Sequence, residues 1–203
     1  MSADKFTIVF VGDSVTDCGR RSDDRSPLGD GYVSLLAEKL LARDENSVIV
    51  NAGINGNRSQ DLAGRWEADV MDHGPSLVSI LIGVNDTWRR FDRDDPTTAV
   101  AFEANCRSML ERTLERENTK VVLVEPFLLP VSPEQTAWLG DLEAKVAVVR
   151  ALAAEYGTSL LPAHAFLTEA AAVHGPEALA PDGVHPSAHG HRILADKWLE
   201  LMS

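Results

Sequence analysis

Short apolar runs alternate along the chain with longer stretches in which apolar positions recur every three or four residues. The runs at 6–11, 47–51, 77–82, 120–125 and 158–161 are rich in β-branched residues or leucine and are bounded by Gly, Asn or Pro, which predicts five strands. Ile8-Val9-Phe10-Val11 and Val121-Val122-Leu123-Val124 carry no polar alternation, as expected of strands buried on both faces. Val33, Leu36, Leu40 and Leu41 share one face of a predicted helix over 31–43. Ser59 is the expected N-cap of a helix that stops before Gly74-Pro75, and Thr97 opens another through Arg116. Ser132-Pro133-Glu134-Gln135 has the capping-box pattern with proline at the first helical position, leading towards Tyr156, with Gly140-Asp141 as a candidate break. Helices over 163–174 and 187–201 complete the set. No repeat, low-complexity run or linker divides the chain, so residues 1–203 are expected to form a single three-layer α/β/α domain around a five-stranded parallel sheet with right-handed crossovers.

That architecture says where chemistry belongs, because ligands of open parallel sheets bind beyond the carboxyl ends of the strands. Three of those ends are unusual: Gly12-Asp13-Ser14, then Ala52-Gly53-Ile54-Asn55-Gly56-Asn57, then Gly83-Val84-Asn85-Asp86. Pro181-Asp182-Gly183-Val184-His185-Pro186, just before the last helix, can reach the same rim. Ser14 is the nucleophile candidate, at a turn that Gly12 lets bend, and a serine needs an adjacent base. His185 is that base candidate and Asp182 its orienter, three residues away across a glycine turn; a carboxylate on Nδ1–H leaves Nε2 free to accept the serine proton. The N–H groups of Ser14 and of Gly53 or Gly56, with the Asn85 amide, can donate to an oxyanion. Each segment taken alone also suits plain turn chemistry. His189 and His191 are expected to face solvent or cap the last helix, and Cys18, with no base of its own, to pack.

Charge and composition narrow the partners. Nineteen Lys and Arg against thirty-one Asp and Glu give −12, which disfavours nucleic acid and anionic membranes. Cys18 and Cys106 are the only cysteines and make no disulfide framework. Met1-Ser2-Ala3-Asp4-Lys5 runs into the first strand without a signal-peptide pattern, and no run reaches membrane-span length, so the expected compartment is the cytoplasm. A Gly-x-Ser-x-Gly elbow is missing around Ser14, which disfavours an α/β-hydrolase fold.

The four blocks, in this order, resemble the SGNH hydrolases, also called GDSL-type lipases and esterases. Gly12-Asp13-Ser14 is similar to their first block, Asn51 to Asn57 to the second, Gly83-Val84-Asn85-Asp86 to the third, and Asp182-Gly183-Val184-His185-Pro186 to the last. The resemblance spans nearly the whole chain and departs only in Val15, where the family name has leucine. It implies a flavodoxin-like sheet, a serine hydrolase without metal or other cofactor, Gly56 as the oxyanion glycine, and Ser14, Asp182 and His185 as the triad. Two longer stretches, Gly12 to Arg20 and Gly83 to Asp92, are similar to a subgroup containing intracellular acetyl-xylan esterases. That narrower resemblance implies acetyl esters of short xylo-oligosaccharides as substrates, and a homo-oligomer.

Trp88, beside the oxyanion loop, is a candidate to stack on a sugar ring, or a packing residue beneath that loop. Trp66, Trp138 and Trp198 are expected in the core. Arg20, Arg89 and Arg90 either bind substrate hydroxyls or pair locally. The stretch after the third strand, from Trp88 to Asp95, reads as a polar loop with two aromatics rather than an acyl channel. The expected function is a serine esterase acting on short-chain, acetyl esters of small polar molecules. Three alternatives stand beside it. One is a lysophospholipase or thioesterase with the same triad. Another is a metal-dependent hydrolase using Asp13, Asp17, Asp86 and His185, and the third is a non-catalytic module that binds a small anion.

Overall fold

The structure, a computed structural model, describes residues 5–20 and 26–203. Residues 1–4, on which the reading of the N-terminus rests, lie outside the described residues. In chain order the elements are β1 (Thr7–Gly12), α1 (Ser14–Asp17), α2 (Tyr32–Arg43), β2 (Val48–Gly53), α3 (Ser59–Asp69), β3 (Leu77–Leu81), α4 (Val84–Asp92), α5 (Ala99–Leu114), β4 (Lys120–Val124), α6 (Pro133–Tyr156), β5 (Ser159–Leu161), α7 (Ala163–His174), α8 (Pro176–Leu179) and α9 (Ala188–Leu201).

The five strands form one parallel sheet in the order β2-β1-β3-β4-β5, the flavodoxin-like arrangement. Successive side chains of a strand point to opposite faces, and here both faces are covered. Ile8, Phe10, Val122 and Val124 pack with Tyr32 and Leu36 of α2, Leu167 of α7, and Leu194 and Trp198 of α9. Val9, Val11, Val121 and Leu123 pack with Trp66 of α3, Phe102 and Met109 of α5, and Val149 and Leu152 of α6. Asn51 and Ser79 interrupt the first face with polar side chains. Ser79 is fully buried, and its hydroxyl accepts the Trp198 indole N–H at 3.1 Å, so neither group loses a partner.

The register makes the rim level. Gly12 pairs with Gly53 and Leu81, Leu81 with Val124, and Val124 with Leu161. Strand order reverses between β1 and β3, so the segments that follow β1, β2 and β3 open into one crevice. Gly12 is required there by close approach rather than by an unusual turn. A Cβ at that position would lie 2.3 Å from the Leu81 carbonyl oxygen and 2.5 Å from Thr16 Oγ1.

Several elements differ from their sequence expectation. The stretch after β3 is not a loop: α4 runs through Asp92. Its apolar stripe is short, Val84, Trp88 and Phe91 at helical spacing, and Arg89–Asp92 and Arg90–Asp141 ion pairs add to the aromatic contacts that hold it. The helix at 59 begins on Ser59, whose hydroxyl turns to Asp86 Oδ1 at 2.7 Å, while Asp61 accepts the Arg58 N–H at 2.8 Å. Thr98, not Thr97, caps α5 and accepts from Ala101 N–H. Gly140 does not break α6. It is exposed with open space around it, so it costs only about 1 kcal/mol of helix propensity, and Asp141 pairs with Lys145 one turn on. Trp66 and Trp198 are buried, but Trp138 is only partly so and stacks on Phe91 at 5.6 Å.

Candidate active site

Asp13 caps α1: its Oδ1 accepts the Val15 N–H at 3.0 Å. Ser14 is therefore the first residue of that helix, where N–H groups have no intrahelical acceptor and remain free to donate. Its Oγ stands 2.8 Å from His185 Nε2. His185 Nδ1 is 2.6 Å from Asp182 Oδ2, and Asp182 Oδ1 accepts the backbone N–H groups of Val184 and His185 at 3.0 and 2.7 Å. With Nδ1–H donating to the carboxylate, Nε2 is left as the acceptor for the serine hydroxyl. Partial burial pushes the Asp182 carboxyl up, but bonds from the His185 ring and from the two N–H groups outweigh it and hold the acid below its ordinary range.

The oxyanion candidates meet on the same rim. Asn85, buried in the first turn of α4, donates one Nδ2 hydrogen to the Asn57 carbonyl at 3.1 Å. Its second amide hydrogen is uncommitted to that bond. The loop that carries Gly56 is thus tied to the helix that carries Asn85, and Gly56 itself has φ of +78°.

Side chains to which the sequence reading gave no such role hold this rim together. Arg65 donates to the Gly12 carbonyl at 3.1 Å, to the Ala52 carbonyl at 2.8 Å and to Asn57 Oδ1 at 2.7 Å, spanning the ends of β1 and β2 and the Gly56 loop. Asn51 donates to the Thr16 and Leu28 carbonyls at 2.7 and 2.8 Å. Asp17 Oδ2 accepts the Asn55 N–H at 3.0 Å, and buried Asp86 accepts the Ser59 N–H and hydroxyl. An asparagine inside an apolar strand was a visible signal for Asn51. Arg65 had none, because its rim partners lie 8, 13 and 53 residues away in sequence.

A cleft of about 600 Å³ opens beside Ser14 and His185, with Asp17, Cys18, Ile54 and Asn55 in its wall. His191 also lines it and is buried, against the expectation of a solvent-facing residue. Burial and the nearby His185 push its pKa down to about 4. The Tyr32 N–H donates to Nδ1 at 3.1 Å, so the neutral ring carries its proton on Nε2, 3.4 Å from Cys18 Sγ. Cys18 thus has a histidine neighbour, but one that donates to sulfur and takes no proton from it. Trp88 is partly buried, with its ring centroid 6.3 Å from that of His185 and 5.7 Å from Trp138, and the Arg89 guanidinium lies over it. The arginines are bonded within the chain, only Arg89 locally: Arg20 donates to the Gly53 carbonyl at 2.6 Å, Arg89 bonds Asp92, and Arg90 reaches Asp141 of α6. Asp13, Asp17, Asp86 and His185 do not converge. Among the described residues no group of three His, Cys, Asp or Glu side chains is placed to hold a metal ion.

Asp13 carries a further consequence. Burial lifts its carboxyl from 3.8 to about 7, against the Val15 hydrogen bond and the His185 charge, which lower it; Asp86 raises it further. Between those two values the folded chain holds a proton that the unfolded chain has released. Stability therefore falls as pH rises through that window and levels off above about 7. Asp13→Asn keeps an acceptor for Val15 and removes the ionisation. In urea unfolding the variant is expected to gain about 2–4 kcal/mol over wild type at pH 8 and little at pH 4. An equal difference at both pH values would refute the assignment.

Residues 10–193 match the GDSL-like lipase/acylhydrolase family. The chain is 35% identical over 202 residues to an acetylxylan esterase of Geobacillus stearothermophilus, covering 95% of this chain and 91% of the relative. It is 30% identical to esterase TesA of Pseudomonas aeruginosa, over 96% and 87% of the two chains. A solved acetylxylan esterase from G. stearothermophilus superimposes with a TM-score of 0.86 at 34% identity, over 98% of this chain and 94% of the other.

Proposed function

From the chain's place in the GDSL-like lipase/acylhydrolase family, to which it belongs, and from its being a serine esterase, we propose that Ser14, His185 and Asp182 form its triad and that its substrate is an acetylated sugar. The observation that carries the triad is the unbroken hydrogen-bond path from Asp182 Oδ2 through His185 to Ser14 Oγ. Ser14 Oγ attacks the ester carbonyl as His185 Nε2 takes its proton. The negative charge that develops on the carbonyl oxygen is met by the N–H groups of Ser14 and Gly56 and the Asn85 amide. Asp182 holds the ring in the required tautomer and stabilises the imidazolium. His185 then returns the proton to the leaving alcohol, takes one from a water as that water attacks the acyl carbon, and gives it to Ser14 Oγ as the acid departs. No step in this scheme calls on a metal or cofactor.

The cleft wall is mixed: Asp17 and Asn55 place polar groups in it beside the apolar Val15, Ile54 and Pro186, which supports a small alcohol that offers both hydroxyls and an apolar ring face. A Geobacillus relative named for acetylxylan, alike over almost the whole chain, supports acetyl groups on xylo-oligosaccharides. Under this proposal Trp88 offers its indole to the sugar. No helix among the described residues is long and apolar enough to cross a membrane. The net charge of −12 supports a substrate that is neither nucleic acid nor part of an anionic membrane. We place the reaction in the cytoplasm, in a homo-oligomer whose size light scattering measures.

A panel of esters tests the substrate. kcat/KM is expected to fall steeply from p-nitrophenyl acetate to the octanoate, and acetate to be released from acetylated xylo-oligosaccharides. Trp88→Ala is expected to cost about 3–10-fold on the sugar ester and little on p-nitrophenyl acetate, the range of a single aromatic contact. A preference for octanoate, or equal losses on both esters, would turn the reading towards a lysophospholipase or thioesterase with the same triad.

A further inference from the structure

Asp182 and His185 sit on a short loop whose side chains are half exposed, 50% and 44% respectively. A solvent-exposed carboxylate–imidazole pair does little by itself to hold a backbone in place, since such pairs contribute only about 0–1 kcal/mol. The loop must therefore be positioned from its buried side. Val184 packs among Val84, Leu128, Leu142 and Val146, and two hydrogen bonds reach the loop from neighbouring segments. The Leu129 N–H donates to the Gly183 carbonyl at 2.8 Å. Gln135, at the third position of α6 and 9% exposed, donates from Nε2 to the Asp182 carbonyl at 2.7 Å.

The Gln135 carboxamide is committed at both ends. Its Oε1 accepts the Val131 N–H at 2.9 Å, so the capping-box glutamine reaches past the N-cap Ser132 instead of closing on it. One neighbour is a backbone carbonyl and the other a backbone N–H, which leaves a single orientation for the amide. The loop is shaped to receive it. Gly183 has φ of +81°, and a Cβ there would lie 2.5 Å from Gln135 Oε1 and 2.9 Å from the Leu129 carbonyl oxygen. A side chain at 183 would thus displace the amide from the carbonyl of the acid residue itself.

We propose that Gln135 is a positioning residue for acyl transfer, its carboxamide clamping the Asp182–His185 loop to the start of α6 so that Nε2 stays within reach of Ser14. The inference rests on the reading of Asp182 and His185 as acid and base. The clamp acts on where the base stands, not on what the cleft binds, so its loss appears in kcat.

Gln135→Met keeps length and removes both polar ends. With p-nitrophenyl acetate it is expected to lower kcat about 10–100-fold while KM stays within about twofold, the scale of a displacement near 1 Å. Gln135→Glu keeps the acceptor for Val131 and removes only the donor to Asp182; it is expected to lose kcat likewise, and it serves as the test if Gln135→Met does not fold. In a His185→Ala background either substitution is expected to cost nothing more, because Gln135 works through that ring. A kcat within twofold of wild type in a folded variant, or the same loss repeated without His185, overturns the inference and leaves the triad standing. Wild-type activity in His185→Ala alone removes the base itself, and the clamp with it.

Discussion

Ser14→Ala is expected to lower kcat by about 10⁴–10⁶-fold while leaving KM for a small ester nearly unchanged. In the proposed triad the hydroxyl forms the covalent bond to the acyl carbon, and removal of a triad nucleophile leaves only the rate that oxyanion donors and binding can sustain. The substitution removes one oxygen at a partly buried position at the start of α1, and neither the Asp13 cap nor the Arg65 bonds involve that atom. The variant should therefore fold, so lost activity reports chemistry. A fluorophosphonate probe supplies the second reading: intact protein gains one adduct, mapped to the peptide containing Ser14, and Ser14→Ala gains none. Labelling at another residue together with retained activity would falsify the triad and return the chain to the anion-binding alternative.

The second large effect belongs to Asn85. Its amide is held by the Asn57 carbonyl, so a donor is in place before the substrate arrives and no reorganisation is needed as charge develops. Asn85→Ala is expected to lower kcat by about 10²–10³-fold with little change in KM, because the carbonyl oxygen needs the donor chiefly in the transition state. Asn85→Asp should lose more, since a carboxylate facing a developing oxyanion repels it. Steady-state kinetics on p-nitrophenyl acetate measure both. A loss confined to KM would move Asn85 from transition-state stabilisation to ground-state binding.

The sheet and the four rim segments were legible because their signals are local. An unbroken apolar run reads as a strand buried on two faces, and the expected 163–174 helix agrees with α7 residue for residue. What stayed hidden depends on partners distant in sequence. The second half of α4 carries Arg89, Arg90 and Asp92, whose pattern resembles a polar loop until Asp141 and the Trp138 ring are brought against it. His191 looked solvent-facing because nothing in the sequence says that the Tyr32 N–H will meet its ring. Gln135 matched a familiar helix-start signature, and that local explanation masked the longer-range bond to Asp182.

Ser14 and His185 are 171 residues apart, and the loop bearing His185 leads directly into α9, which docks through Trp198 on Phe10 of the first strand, ring centroids 5.3 Å apart. A chain growing from its N-terminus can assemble the Ser14 turn, the Gly56 loop and α4 long before His185 is synthesised. Under the proposed triad, hydrolysis waits until α9 has left the ribosome and closed over the sheet. Catalytic competence is then a late gain, after all five strands are in place. A protease cut between α8 and α9 would abolish it while every strand stays on one fragment.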